Sequence, residues 1–219
     1  MLPSYAERFE IIVVDDGSSD ATATIVTEMG TSHPEIRLTS HDVNLGYGRA
    51  LRTGLESARG DAVFFTDADR QFRFTDIGRL TAHFEPGLVV VGFRIKREDP
   101  FHRLVVARTY HLVLRVVFGL RVQDVDCAFK LLGRDVLAEV MNDLGSESAF
   151  ISPELLIRAQ KKGFRILEVG VPHYPRIAGR PKGATIGVIL RTVREIVTMR
   201  RSMGALETGE SKLAGPPPT

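Results

Sequence analysis

The sequence predicts an α/β fold, an open and mostly parallel sheet flanked by helices on both faces. Three observations carry this expectation. Short β-branched runs without polar alternation, such as Glu10 to Val14 (EIIVV), suit strands buried on both faces of a parallel sheet. Segments of helical length separate these runs, giving a βαβαβαβ alternation over the first half of the chain. Two acidic clusters, Asp15-Asp16 and Asp67/Asp69, directly follow strand-like runs. In open sheets of this kind, ligands sit outside the carboxyl ends of the strands.

Taken in order, EIIVV ends in Asp15-Asp16-Gly17-Ser18-Ser19-Asp20, a turn rich in groups that accept hydrogen bonds from the first amides of a helix, here Ala21 to Met29. A strand at Glu35 to Ser40, a helix from Gly48 to Ala58 and a strand at Ala62 to Thr66 follow. The last runs into Asp67-Ala68-Asp69. A helix over Thr75 to Phe84 and a strand at Leu88 to Gly92 close the alternation. The second half is less regular: a helix at Phe101 to Phe118, a loop at Arg121 to Phe129, helices at Arg134 to Met141 and Pro153 to Lys161, and a strand at Arg165 to Val171. A Pro/Gly/basic loop from His173 to Gly183 precedes a final helix, Ile186 to Arg201. One domain is expected over 1–204, with a disordered tail at 205–219 that includes Pro216-Pro217-Pro218.

With 219 residues, 43% hydrophobic and 26% charged, the chain can bury one sizeable core, and collagen, coiled coil and wholesale disorder are excluded. The net charge of +2 conceals an asymmetry. Met1 to Phe93 holds eight Lys/Arg against fourteen Asp/Glu, whereas Arg158 to Met203 holds eleven against two. Such a basic half fits phosphate, nucleic acid or anionic membrane. No aromatic-interleaved strand or recognition-helix pattern accompanies it, which disfavours nucleic acid. Cys127 is the only cysteine, so no disulfide forms within the chain and a reducing cytoplasm is expected. No signal peptide opens the chain, and Leu104 to Leu120, the most apolar stretch, is broken by Arg108, His111 and Arg115. The helices at Phe101 to Phe118 and Ile186 to Arg201 mix Val, Ile and Leu with Arg, a pattern of core packing with a solvated face or of a helix resting on anionic lipid.

The chemistry concentrates in Asp67-Ala68-Asp69-Arg70-Gln71. Extended backbone sends residues i, i+2 and i+4 to one side, so Asp67, Asp69 and Gln71 can face one ligand. Two carboxylates and an amide oxygen suit a hard divalent cation that also binds phosphate, Mg²⁺ or Mn²⁺.

With Val13-Val14-Asp15-Asp16-Gly17-Ser18-Ser19-Asp20, Asn44-Leu45-Gly46-Tyr47-Gly48-Arg49-Ala50, Gly60-Asp61 and Asp67-Ala68-Asp69-Arg70-Gln71 in this order, the chain resembles the inverting GT-A glycosyltransferases of family 2. Within that family it looks most like the dolichol- or polyprenyl-phosphate sugar transferases. Val89-Val90-Val91-Gly92-Phe93-Arg94 is similar to their VVGSR run, and Asp124-Val125-Asp126-Cys127-Ala128-Phe129-Lys130 to their DxxSGFR-type loop. The resemblance implies a GT-A sheet, a nucleotide-sugar donor and a polyprenyl phosphate acceptor. It implies that Asp15, Asp16 and Gly17 line the nucleotide, with Asp16 at base or ribose, and that Asp67, Asp69 and Gln71 hold the metal on the donor diphosphate. Arg94 and Arg108 would meet the acceptor phosphate, and Arg176, Arg180 and Lys182 would belong to a basic lid over the donor. An arginine fork suits phosphate oxygens.

Under this resemblance the metal and basic groups neutralise the departing nucleoside diphosphate while a nucleophile attacks the anomeric carbon from the opposite face. A lipid phosphate, with a second pKa of about 6, is already an anion and needs no base. A saccharide or other hydroxyl acceptor needs one, and Asp124 or Asp126 is the candidate.

The chain departs from the family at its start, where Met1-Leu2-Pro3-Ser4-Tyr5 stands in place of a strand ending in a P-x-x-N-E-type motif. That strand would lie beside EIIVV, so an exposed edge and fewer nucleotide contacts are expected. A noncatalytic remnant that binds no donor is the corresponding alternative. A phosphoacceptor receiver domain also pairs Asp residues after a strand, but it needs a later lysine and little more than half this length. The nearest lysine, Lys96, follows Gly-Phe-Arg, and Asp69 and Gln71 would be unexplained.

Overall fold

The computed structural model describes residues 4–95, 101–175 and 186–213, with side chains described from 106 in the second stretch and over 187–203 in the third. Among the described residues six strands and seven α-helices follow one another: β1 Ile11–Asp15, α1 Thr22–Ser32, β2 Ile36–Ser40, α2 Tyr47–Ser57, β3 Ala62–Thr66, α3 Gly78–Thr81, β4 Leu88–Arg94, α4 Phe101–Phe118, β5 Phe129–Gly133, α5 Arg134–Val140, α6 Ile151–Lys161, β6 Arg165–Val171 and α7 Ile186–Leu213. The α/β class holds. At the entry to α1 the carboxylate of Asp20 accepts the Thr22 amide at 2.9 Å, as the turn chemistry requires.

The sheet itself differs from the expectation. β1 and β2 form a parallel pair with Ile11 opposite Ile36, while a separate four-stranded sheet has the order β3-β5-β4-β6. In that sheet β5 runs antiparallel to both β3 and β4, and only β4 and β6 are parallel. The loop expected over Arg121 to Phe129 ends where β5 begins, and the sequence reading assigns no strand to Phe129–Gly133. The structure buries Lys130 completely and gives its ammonium three oxygen acceptors, the Val125 and Cys127 carbonyls and the Ser152 hydroxyl.

Among the described residues no ladder joins β1 to β3. The two sheets are held together instead by α2 and by one side chain. α2 lies on β1, where Gly54 approaches Val14, and its Leu55 enters the core that contains Val63 of β3. Glu10 accepts the Arg59 amide at 2.6 Å and pairs with Arg37 of β2 at 2.7 Å. With a ladder on only one side, Ile11 to Val14 remain half-buried, although their sequence suits an interior strand.

β4 is the centre of the fold. Leu88 and Val90 face one apolar cluster with Phe129, Leu131, Val171, Ile77 and Leu80, while Val89 and Val91 face a larger one formed with α4 to α7. The helix expected over Thr75 to Phe84 is shorter, a 3₁₀ turn at Phe74–Ile77 followed by α3. It breaks near Gly78, which packs on the Tyr5 ring. α7 continues past Gly204 to Leu213, through part of the segment read as tail.

Candidate active site

β1 delivers Asp15 and Asp16 at its carboxyl end. Asp15 is buried and its carboxylate accepts the Ser18 amide at 3.1 Å, turning the chain toward α1. Asp16 reaches across to the segment between β2 and α2. Its Oδ1 meets His41 Nδ1 at 2.7 Å and the Leu45 amide at 2.9 Å, and its Oδ2 accepts the Gly46 amide at 2.8 Å. His41 in turn contacts the Thr53 hydroxyl at 2.9 Å. Burial raises the Asp16 pKa, but the His41 contact and the two amides outweigh it and hold the carboxyl below its ordinary value. Gly17 completes this clamp. Its φ is +69°, and a Cβ there would stand 2.5 Å from the Val43 carbonyl carbon. Asp15, Asp16 and Gly17 are thus one unit with 41–46, and the Asp16 carboxylate orders that loop.

β3 delivers Asp67, and the chain then turns sharply. Arg70 has φ +63°, the only non-glycine in the left-handed region among the described residues. The turn lets Asp69 Oδ1 accept the Gln71 amide at 3.0 Å. Gln71 donates its side-chain Nε2 to the Tyr174 carbonyl at 3.5 Å. Tyr47, the first residue of α2, donates its hydroxyl to the Asp67 carboxylate and lies in the field of Asp69 and Asp126. The residue keeps 39% of its surface open, while crowding around the hydroxyl and these carboxylates drives the phenol well above its ordinary pKa. Sequence reasoning gave Tyr47 no role, placing it only within the Asn44-to-Ala50 run and starting the helix at Gly48. Gly48 donates its amide to the Glu147 carbonyl at 3.1 Å.

The Asp124 to Cys127 turn brings a third carboxylate, Asp126, into the field at Tyr47. Asp124 is buried and grips Arg94 of β4 through Nε at 2.6 Å and Nη2 at 2.7 Å. Asp126 has an exposed surface, yet crowding at its carboxyl and the nearby Asp124 raise its pKa, against the opposing effects of His111, Lys130 and Arg94. Tyr110 of α4 also feels Asp126. Burial depresses the Lys130 ammonium, opposed by Cys127, Asp126, Asp124 and Asp67, and pushes the Cys127 thiol up to about 12, which makes that thiol inert.

The structure therefore brings Asp67, Asp69 and Asp126 around the Tyr47 hydroxyl, with the Arg94–Asp124 pair acting on Asp126. Arg108 lies exposed on α4, on the helix that also carries Tyr110 and His111. Arg176, Arg180 and Lys182 lie outside the described residues. Among the described residues no group of three or more His, Cys, Asp or Glu is arranged to hold a metal alone. Two carboxylates and the Gln71 oxygen do fit a Mg²⁺ or Mn²⁺ that takes its remaining ligands from a diphosphate.

Residues 2–141 match the sequence profile described as glycosyl transferase family 2. The chain is 31% identical over 175 residues to dolichyl-phosphate beta-glucosyltransferase ALG5D of Trichomonas vaginalis, covering 74% of this chain and 54% of that protein. It is 32% identical over 184 residues to the undecaprenyl-phosphate 4-deoxy-4-formamido-L-arabinose transferase of Pectobacterium carotovorum, covering 83% and 54%. It thus spans about half the length of these curated relatives. In fold it is similar to crystal structures of glucosyl-3-phosphoglycerate synthase from Mycobacterium tuberculosis. The complex with Mg²⁺ and uridine-diphosphate has a TM-score of 0.63 at 21% identity, covering 87% of this chain and 66% of that one. The complex with Mn²⁺, uridine-diphosphate-glucose and phosphoglyceric acid has a TM-score of 0.62 at 20% identity, covering 86% and 68%.

Proposed function

The chain belongs to glycosyl transferase family 2, and on that premise we propose that it moves a sugar from a nucleoside-diphosphate donor to a polyprenyl phosphate. The observation that carries this reading is the gathering of Asp67, Asp69 and Tyr47 at the carboxyl end of β3, beside the Arg94–Asp124 pair. The named relatives act on dolichyl and undecaprenyl phosphates, which supports the acceptor class.

Asp67, Asp69 and Gln71 would hold the divalent cation, which would supply charge neutralisation at the departing diphosphate. Tyr47 orients Asp67, and the clamp from Asp16 to Leu45 and Gly46 fixes the loop that enters α2 beside the donor. Arg94 keeps its guanidinium charge, and because its Nε and Nη2 are engaged by Asp124 a phosphate meets the remaining Nη1 side in a preset orientation. A lipid phosphate arrives as an anion and needs no proton removed.

A second reading, transfer to a hydroxyl, is favoured by Asp126, a carboxylate with a raised pKa that could accept the hydroxyl proton. The acceptor itself separates the two. Polyprenyl phosphate and a neutral saccharide are each offered with labelled UDP-glucose or GDP-mannose and Mn²⁺. Organic-extractable label that disappears in Asp69→Ala supports the lipid reading, and label in the saccharide alone overturns it.

The lipid acceptor also suggests where the chain works. No described helix is long and apolar enough to cross a membrane. α4 nevertheless exposes Leu112 and Val116 among arginines, as α7 exposes Leu190 and Val193, and such a surface suits an anionic membrane.

A further inference from the structure

The turn after β3 is tied to a distant segment. β3 and β6 are separated in the sheet by β5 and β4, yet residues 71–73 meet residues 173–174 at every position. The Tyr174 amide donates to the Gln71 carbonyl at 2.9 Å, and the Gln71 side-chain amide donates back to the Tyr174 carbonyl at 3.5 Å. The Arg73 guanidinium lies 4.1 Å from the centre of the Tyr174 ring. Phe72 packs edge-on to His173 at 5.4 Å and against the fully buried Phe129 at 5.1 Å. Just upstream stands Arg70 at φ +63°. A left-handed arginine persists only where its surroundings over-determine it. Asp69 accepts one local hydrogen bond, from the Gln71 amide, and the 173–174 segment adds contacts to each of residues 71–73.

We propose that Tyr174 is a positioning residue that holds the Asp67-to-Gln71 turn in its left-handed conformation through the Gln71 bridge and the Arg73 stack. It touches no reacting atom. Its effect on binding rests on the reading of Asp67, Asp69 and Gln71 as the metal and diphosphate site, while its effect on the turn does not. Without the stack, the turn is released to right-handed alternatives and only a fraction of molecules presents Asp69 and Gln71 together. Apparent affinity falls by that fraction.

Four proteins test this: Tyr174→Leu, Tyr174→Phe, Arg70→Gly and Arg70→Gly with Tyr174→Leu. In the metal-free chain, amide hydrogen exchange over residues 69–74 should quicken in Tyr174→Leu and remain unchanged in Tyr174→Phe, which keeps the ring. Calorimetry of Mn²⁺ with UDP should show about tenfold weaker binding for Tyr174→Leu. Glycine at position 70 removes the left-handed penalty and should return most of that affinity in the double variant, a compensation that general loss of packing would not produce. Unchanged exchange in Tyr174→Leu overturns the proposal, as does a double variant no better than Tyr174→Leu alone. If the wild type binds no Mn²⁺ with UDP, the metal reading fails and the exchange comparison alone decides the role of Tyr174.

Discussion

Arg94 and Asp124 are joined as a fork: Nε and Nη2 of the arginine each donate to a separate carboxylate oxygen, and the Arg94 backbone amide adds a longer bond of 3.3 Å to Oδ2. The side chains retain 15% and 5% exposure, so water contributes little to satisfying either charge. Breaking such a pair from one side leaves the other charge stranded. Asp124→Ala should therefore lower unfolding free energy by about 3 to 5 kcal/mol, measured by urea denaturation at pH 7. The double variant Asp124→Ala with Arg94→Met should lose less than the two single losses combined. A loss within about 0.5 kcal/mol for Asp124→Ala would be that of an ordinary surface substitution and would refute the buried pair.

Asp16 links stability to pH. Its folded pKa is lowered because His41 and the Leu45 and Gly46 amides outweigh the opposing effect of burial. The folded state then binds the Asp16 proton more weakly than the unfolded chain does. The resulting stabilisation is complete above the unfolded value, near 4, and is lost as pH falls through the lower folded value. Asp16→Asn should cost about 1 to 3 kcal/mol at pH 7. That deficit should shrink when urea midpoints are followed from pH 6 to pH 3. A deficit that stays constant over this range would remove Asp16 from the acid transition.

The strands most legible in the sequence were those whose burial is local in cause. EIIVV, AVFFT and RILEVGV were read within a residue or two of β1, β3 and β6, because apolar runs bounded by turn residues have few other readings. β5 escaped since Lys130 is tolerable in a strand only when Val125, Cys127 and Ser152 supply acceptors, and Ser152 is far away in sequence. Its antiparallel insertion between β3 and β4 was invisible for the same reason. At the site, Asp67 and Asp69 were legible from residue type and spacing. Tyr47 and Tyr174 were not, because a tyrosine announces no partner until the fold brings Asp67 or Arg73 beside it.

Two glycines of α2 should respond oppositely to alanine. At Gly48 a Cβ would stand 2.3 Å from the Glu147 carbonyl carbon and 2.5 Å from its oxygen, both backbone atoms with little freedom to move. Gly48→Ala should destabilise by about 1 to 3 kcal/mol. At Gly54 the nearest atom is a Val14 side-chain methyl at 3.3 Å, which can shift slightly. There the better helix propensity of alanine, up to about 1 kcal/mol, should leave stability unchanged or raised. Thermal unfolding of both variants checks the contrast, and similar losses at the two positions would contradict it.

The exposed face of α4 gives the last prediction. Val116 is 76% exposed and Leu112 59%, with Arg108 and Arg115 on the same helix and no acidic residue along its length. In water these side chains gain nothing from their position. At a bilayer interface the apolar groups enter the headgroup boundary, while each nearby arginine gains about 1 kcal/mol from anionic lipid. The chain should sediment with vesicles containing phosphatidylglycerol and remain largely free with pure phosphatidylcholine. Binding should weaken as salt rises, because the electrostatic part is screened over about 10 Å at 0.1 M. Val116→Glu combined with Leu112→Glu, both at exposed positions, should abolish sedimentation while leaving the thermal midpoint in place. Sedimentation that is unaffected by the double variant would move the membrane contact off this helix, and equal binding to neutral and anionic vesicles would remove the arginines from the account.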